Sequence, residues 1–285
     1  MKDKVCIITG ANAGIGKETT LALAKMGATI AMVCRNPHKA EEAKKEIINE
    51  SGNQNIEIFI CDFSIQAQIK KVAVELTQRY PAIDVLINNA GFIAAGTTRQ
   101  TTPDGIEQTV AVNHLGYFML TNLLKPSLLA SPMARIINVS SDAHKFIDFN
   151  INDLQLEQGY TPMKAYSISK LLNIHFTIAL AKRLANTSIT VNALHPGVVR
   201  TNFSKNLSGF TKVIFALAKP FMINSAKGAA TSIYLASSPK VANISGKYFA
   251  NKKQKTPNKD ALNETYAEKV WDISIQLTQL EGQTF

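Results

Sequence analysis

The sequence predicts a doubly wound α/β fold, in which helices cover both faces of a mostly parallel seven-stranded sheet. Three observations predict it. Short β-branched runs alternate with longer amphipathic ones from the first residues onward, several of the short runs are apolar at nearly every position, and a glycine-rich loop follows the first run directly. Fully apolar strands are expected where helices cover both faces of a sheet, and right-handed crossovers between such strands give the doubly wound arrangement.

The predicted strands are spread along almost the whole chain. They are Val5–Thr9, Thr29–Cys34, Ile56–Cys61, Val85–Asn88, Arg135–Ser140, Ile189–Leu194 and Lys247–Ala250. One predicted helix matters most for function: it begins at Thr161-Pro162, a capping residue followed by proline at the first helical position, and extends to about Leu184. Because the sequence contains no internal repeat and no long linker, residues 1–285 are interpreted as one domain with an excursion near 202–224.

Composition and charge exclude several classes of protein. Hydrophobic residues make up 46% of the 285 residues and charged residues 18%, which is typical of a globular chain rather than a disordered one. The net charge of +10 would favour acidic partners, but the basic residues are mostly scattered. Their densest group is interpreted as a solvated turn, and with no recognition motif beside it we expect no nucleic-acid partner. That group consists of Lys252, Lys253, Lys255 and Lys259.

The cysteines and apolar runs bear on where the protein works. Cys6, Cys34 and Cys61 lie in apolar strand-like runs without metal-ligand spacing, so we expect a reducing compartment and no structural zinc. The first apolar stretch is too short for a secretory signal, and no run reaches the roughly 18–20 residues needed to cross a bilayer. These features predict a cytoplasmic protein.

The glycine-rich loop after the first strand leads straight into a helix. Gly10 permits a sharp exit from the strand, Gly14 lets the backbone approach a pyrophosphate, and Gly16 lets the helix pack close to the sheet. The helix N-terminus adds unpaired N–H groups and the positive end of the helix dipole. The loop therefore predicts a Rossmann-type dinucleotide site, to which Asn12 and Ile15 are also assigned.

The glycine spacing GxxxGxG is the first of several motifs that point to one family. The others are Asn88–Gly91, Asn113, Ser140-Ser141, Tyr166–Lys170 and His195–Gly197. In this order, between Thr9 and Thr201, the motifs resemble those of the short-chain dehydrogenase/reductase family. The resemblance implies an oxidoreductase that moves hydride between a nicotinamide cofactor and an alcohol or carbonyl carbon.

The end of the second strand indicates which nicotinamide cofactor is used. Folds that prefer NAD usually place an acidic residue there, whereas here Cys34 is followed by Arg35. A guanidinium can bind a 2′-phosphate with two hydrogen bonds, so Arg35 predicts NADP(H); the alternative is a surface arginine that opens the next loop. The resemblance implies further cofactor contacts at Asp62, Phe63, Asn89, Ala90, Gly91, Pro196, Gly197, Val199 and Thr201.

Tyr166 and Lys170 are the predicted proton-transfer pair. Their i, i+4 spacing places both side chains on one helix face, and a nearby ammonium favours the phenolate and is expected to lower the pKa of the tyrosine toward neutrality. The resemblance implies that Tyr166 exchanges a proton with the substrate oxygen and that Lys170 also holds the nicotinamide ribose. It further implies that Ser141 hydrogen-bonds the substrate oxygen and that Asn113 orders water near the lysine.

Two segments concern the substrate. Ser140–His144 and the 25-residue separation of Ser141 from Tyr166 resemble the retinol dehydrogenase branch of the family, and residues 142–160 are expected to form an extended wall beside the substrate. The apolar excursion at 203–223 is interpreted as a lid over a lipophilic alcohol or carbonyl compound, or alternatively as a peripheral contact with a membrane surface.

Three further expectations complete the interpretation. No pair of histidines has metal-ligand spacing, so His114, His144 and His195 are interpreted as structural and no metal is expected. The predicted helices at 104–129 and 162–184 match those that pair subunits in many relatives, which makes a homodimer one expectation. The alternative to an enzyme is an NADP(H)-binding regulatory module without turnover, against which the intact set of Asn113, Ser141, Tyr166 and Lys170 argues.

Overall fold

The computed structural model describes residues 1–198 and 223–285 and confirms the predicted doubly wound α/β fold. Its sheet has the strand order β3-β2-β1-β4-β5-β6-β7-β8, in which β8 is antiparallel to β7 and every other pair is parallel. The strands are β1 (Val5–Thr9), β2 (Thr29–Cys34), β3 (Ile56–Ile60), β4 (Val85–Asn88), β5 (Arg135–Val139), β6 (Thr190–His195), β7 (Lys247–Ala250) and β8 (Lys253–Lys255).

Helices connect the strands. In the described residues these are α1 (Gly14–Lys25), α2 (Pro37–Ser51), α3 (Gln66–Arg79), α4 (Gln108–Val110), α5 (Gly116–Leu123), α6 (Lys125–Ala130), α7 (Pro162–Arg183), α8 (Ser225–Ser237) and α9 (Glu264–Thr278). A π-helical turn, Ala111–Leu115, joins α4 to α5. Helix α7 begins as predicted, because the Thr161 side chain accepts the Lys164 N–H at 3.1 Å.

Two hydrophobic layers cover the sheet. On one face α1, α2 and α8 contribute residues such as Leu23, Ile47 and Leu235. On the other face α3, α5, α7 and α9 contribute to the second layer, in which the ring of the single tryptophan, Trp271 of α9, has its centre 5.0 Å from that of Phe118 and 5.9 Å from that of Phe176. Helix α9 therefore packs against α5 and α7 of its own chain, which lie in the two segments that were expected to pair subunits in a homodimer.

Two parts of the fold differ from the prediction. The sheet has eight strands rather than seven, because Asn251 and Lys252 both adopt positive φ, 51° and 60°, and turn the chain into a hairpin that adds β8. The lysines of that strand are exposed, as predicted. They lie in a strand as well as in the turn before it, whereas only a turn was predicted. The helix predicted over 104–129 instead begins at Gln108, since the Glu107 carboxylate caps it by accepting the Val110 N–H at 2.7 Å.

The order of the strands determines where a ligand can bind. The chain runs outward from β1 to β2 and β3 on one side and from β4 to β8 on the other. Helical crossovers therefore diverge between β1 and β4, and they leave a crevice at the carboxyl ends of these strands. The glycine loop and Ser141 both lie at this edge, because the loop follows β1 and Ser141 follows β5.

Candidate active site

The glycine loop has the shape that a close approach to phosphate requires. Gly10 and Gly14 have φ of 66° and 52°, which L-residues with side chains rarely adopt. A Cβ on Gly16 would overlap the Gly10 carbonyl oxygen and lie 2.6 Å from Asn89 Nδ2. Glycine is therefore needed at Gly16 for packing and at the other two for backbone conformation.

The start of α1 carries no capping side chain. Its N-cap residue is Ala13, which makes no side-chain hydrogen bond, and no acidic residue lies in the first turn. By contrast, α2 is capped by the Asn36 side chain and α9 by Asn263. The first N–H groups of α1 thus lack the usual side-chain acceptor, and their positive dipole end fits a phosphate group. Asn12, in the glycine loop, and Ile15, in the first turn of α1, are both partly exposed.

Thr9 ties the glycine loop to the turn after β4, a role that sequence reasoning missed. Its Oγ accepts the backbone N–H groups of Asn89 and Ala90, each at 2.8 Å. The Asn89 side chain in turn donates to the Thr9 carbonyl at 2.8 Å. Asn89 therefore acts on the shape of the loop through these bonds, while Gly91 is exposed.

The residues predicted to contact the adenosine half differ in whether their side chains are available to a ligand. Arg35 is exposed directly after β2, where its guanidinium can reach a ligand. Asp62 Oδ1 accepts both the backbone N–H and the hydroxyl of Ser64, at 2.9 and 2.7 Å. Phe63 is 6% exposed and packs into the core, where a Cβ on Gly116 would lie 2.6 Å from its ring. Phe63 can therefore contribute its main chain but not its side chain to a cofactor contact.

The structure brings Ser141, Tyr166 and Lys170 together at the carboxyl end of β5. The Ser141 side chain lies close enough to the Tyr166 hydroxyl to lower its pKa. The Lys170 ammonium lies 5.6 Å from the centre of the Tyr166 ring and donates to the Val139 carbonyl at 2.9 Å. Both α7 residues therefore face the segment that carries Ser141, as their i, i+4 spacing predicted.

The expected effect of Lys170 on Tyr166 is not found. Burial raises the pKa of Tyr166 to about 12, although the neighbouring Ser141 side chain acts in the opposite direction. Burial also lowers the pKa of Lys170 to about 7, and Lys170 is only 3% exposed. The prediction that the ammonium brings the tyrosine pKa toward neutrality is thus wrong for the protein's own side chains, because desolvation opposes charge on both groups.

Asn113 lies in the π-helical turn, beside the lysine. Such turns are rare and frequently occur at functional sites. Its side chain accepts the Phe92 N–H and donates to the Phe92 carbonyl, both at 2.9 Å, and also donates to Ser169 Oγ at 3.0 Å. Asn173 Nδ2 donates to the Asn113 carbonyl at 2.9 Å. The amide of Asn113 is therefore engaged in holding the loop after β4 against α7, and Asn173 and Phe92 are partners that sequence reasoning missed.

The remaining predicted residues lie at the end of β6 or beyond it. Pro196 and Gly197 follow this strand, and Gly197 has φ of 93°. Val199, Thr201 and nearly all of the excursion at 203–223 lie outside the described residues. Within the described ranges, no cluster of three or more metal-binding side chains occurs, and no helix is long and apolar enough to span a membrane.

Comparison with known proteins agrees with this geometry. A family model described as "short chain dehydrogenase" matches residues 4–211. Human Retinol dehydrogenase 14 is 41% identical over 96% of this chain and 86% of its own length. Among solved structures, an uncharacterized protein from Mycobacterium Paratuberculosis has a TM-score of 0.79 at 30% identity, covering 98% of this chain and 94% of its own.

A second solved structure is similar in fold alone. It is a short chain dehydrogenase from Shigella flexneri 2a str. 301 complexed with NADP, with a TM-score of 0.70 at 23% identity. The similarity covers 89% of this chain and 98% of that one.

Proposed function

Because the chain belongs to the short-chain dehydrogenase/reductase family, we propose that it is an NADP(H)-dependent oxidoreductase acting on lipophilic alcohols or carbonyl compounds, with Tyr166 as the acid/base. The observation that carries the proposal is the juxtaposition of the Ser141 side chain, the Tyr166 phenol and the buried Lys170 ammonium, which lies 5.6 Å from the centre of the Tyr166 ring. A hydroxyl pair at the carboxyl end of a strand, next to a cofactor crevice, can bind one substrate oxygen from two sides.

The crevice suits a nicotinamide dinucleotide. The uncapped start of α1 and the glycine loop would hold the pyrophosphate, and the exposed Arg35 would bind a 2′-phosphate. Asp62 would meet the adenosine half and Lys170 the nicotinamide ribose. When bound, the cofactor supplies or accepts the hydride, and the protein supplies position and proton transfer.

The protonation states favour carbonyl reduction. With its pKa raised to about 12, Tyr166 keeps its proton at neutral pH and can donate it to a carbonyl oxygen as that oxygen gains charge. Ser141 can donate a second hydrogen bond to the same oxygen and stabilise its developing charge. Asn113 keeps the loop after β4 in place beside Lys170 through its bonds to Phe92.

Two facts support a lipophilic substrate. The relative at 41% identity is named as a dehydrogenase of retinol, a lipophilic alcohol. The excursion at 203–223 is rich in Phe, Ile, Leu and Ala in the sequence, as expected of a segment that covers an apolar substrate.

A substrate panel tests the proposal. We expect the full-length protein to oxidise NADPH in the presence of octanal, benzaldehyde or retinal, measured by the loss of nicotinamide absorbance, and to do so far more slowly with NADH. Sub-micromolar binding of NADH with NADPH at least about tenfold weaker would refute the cofactor assignment. Tight NADPH binding without turnover of any member of the panel would instead identify a binding module.

A further inference from the structure

A buried histidine lies directly behind Ser141. His144 belongs to the short 3₁₀ turn Asp142–Phe146 and is 0% exposed. Its Nδ1 lies 2.6 Å from the Ser141 carbonyl oxygen, which also accepts the His144 backbone N–H at 3.2 Å. Because a carbonyl oxygen can only accept, Nδ1 must carry the ring proton.

The other ring nitrogen has an equally definite partner. The Asn258 backbone N–H donates to His144 Nε2 at 3.2 Å, and Asn258 Nδ2 donates to the His144 carbonyl at 3.1 Å. Since an N–H can only donate, Nε2 carries no proton. The two partners thus select a single neutral tautomer, and burial, which lowers the pKa of His144, acts in the same direction.

Asp142, which directly follows Ser141, is also held by hydrogen bonds. The Asp142 backbone N–H donates to His195 Nδ1 at 3.2 Å, and Asp142 Oδ1 accepts the Tyr248 hydroxyl at 2.9 Å. The Tyr248 ring packs at 76° against the His144 ring, with centres 5.2 Å apart. The segment from Ser141 to His144 is therefore supported by β6, by β7 and by the loop that contains Asn258.

From these contacts we infer that His144 is a positioning residue for Ser141: its Nδ1–H holds the Ser141 backbone so that the hydroxyl faces Tyr166 and the substrate oxygen. Ser141 Oγ accepts the Ala143 N–H at 3.2 Å, so its own proton is directed away from the turn. A rotation of this turn would move the hydroxyl, because the carbonyl held by His144 belongs to the same residue. The inference rests on the role proposed for Ser141.

Two substitutions at His144 distinguish the hydrogen bond made by Nδ1 from the one made by Nε2. In His144→Asn the side-chain amide can occupy the position of Nδ1 and still donate to the Ser141 carbonyl. In His144→Gln the longer side chain can reach the position of Nε2 and accept the Asn258 N–H, but the bond to Ser141 is lost. For retinal reduction by NADPH, we expect kcat to fall about tenfold in His144→Gln and to stay within about threefold in His144→Asn, since small displacements of a catalytic group can cost up to 100-fold.

A double-variant cycle tests whether the effect passes through Ser141. Ser141→Ala alone should lower kcat by about 100-fold or more, as expected for loss of a donor to a developing oxyanion. Adding His144→Gln to it should lower kcat no further. An equal further fall in the double variant would overturn the inference, as would His144→Gln with unchanged kcat. Ser141→Ala with parental kcat would instead refute the proposed function of Ser141.

The tautomer of His144 can be measured in the parent protein, so this test depends neither on activity nor on the folding of a variant. In protein with ¹⁵N-labelled histidine, long-range proton–nitrogen NMR should show His144 as the neutral Nδ1-protonated form at about pH 7, with NADPH binding leaving it unchanged. An Nε2-protonated ring or an imidazolium would contradict the hydrogen bonds on which the inference depends.

Discussion

Replacing Lys170 with methionine should make the protein more stable while it abolishes activity. Lys170 is 3% exposed, and among the described residues no carboxylate pairs with it; its ammonium donates a hydrogen bond to the Val139 carbonyl. The fall of its pKa from 10.5 to about 7 corresponds to roughly 5 kcal/mol, at 1.36 kcal/mol for each tenfold change in proton affinity. Losing the bond to Val139 offsets about 1 kcal/mol, so we expect the free energy of unfolding to rise by about 2–4 kcal/mol below pH 7.

The dependence of this gain on pH follows from the lowered pKa. Below about pH 7 the lysine is charged in both the folded and the unfolded chain, and folding carries the full cost of burying the charge. Between about pH 7 and 10.5 only the unfolded chain binds the proton, so the parent gains stability as pH rises and the advantage of Lys170→Met shrinks.

Urea denaturation at about pH 6 and pH 9, followed by the fluorescence of buried Trp271, measures both effects. Lys182→Met is a matched control on the same helix, because the Lys182 side chain is 44% exposed and its ammonium pairs with Glu264; the substitution should change stability by less than about 1 kcal/mol. A Lys170→Met variant less stable than the parent at pH 6 would refute the reasoning.

Three other variants test separate parts of the structure. Arg35→Ala should weaken NADPH binding at least about tenfold and NADH binding far less, because a hydrogen bond to a charged group contributes about 1.5–3 kcal/mol; equal losses in fluorescence titrations would contradict the 2′-phosphate contact. Gly16→Ala should lower both the affinity for NADPH and Tm, because its Cβ would overlap the Gly10 carbonyl oxygen; an unchanged melting curve would contradict the close packing. Trp271→Ala should cost about 3–5 kcal/mol of unfolding free energy, measured by circular dichroism, since its 2%-exposed ring packs against Phe118 and Phe176 and beneath Arg183; a loss below about 1 kcal/mol would show that α9 is not part of the core.

Much of the fold could be predicted because the strands are apolar on both faces and the helices carry strong start signals. All seven predicted strands occur, with ends that differ by at most one residue, and Thr161-Pro162 begins α7. The eighth strand could not be predicted in this way. Its residues, Lys253–Lys255, are exposed and show no apolar alternation, and it depends on two successive residues, Asn251 and Lys252, with positive φ.

The candidate site could be predicted as a set of residues but not as a set of contacts. Sequence spacing placed Tyr166 and Lys170 on one face, yet the pKa of each depends on burial, which the local sequence does not encode. Similarly, Asn258 lies 114 residues from His144, and the two meet only because the loop after β8 returns to the end of β5. Phe63 shows the converse case, since a residue assigned to the cofactor by resemblance has its side chain in the core.

The most direct test of the proposed activity is the turnover of Tyr166→Phe. Removing one hydroxyl should lower kcat for retinal reduction by about 100-fold or more, because a positioned acid contributes at least that much, while NADPH affinity stays nearly unchanged. Tyr80→Phe is the control, because Tyr80 follows α3 and its ring packs against Phe59 of β3; it should retain parental kcat. Retention of more than about a tenth of kcat by Tyr166→Phe would contradict the assignment of Tyr166 as the proton donor.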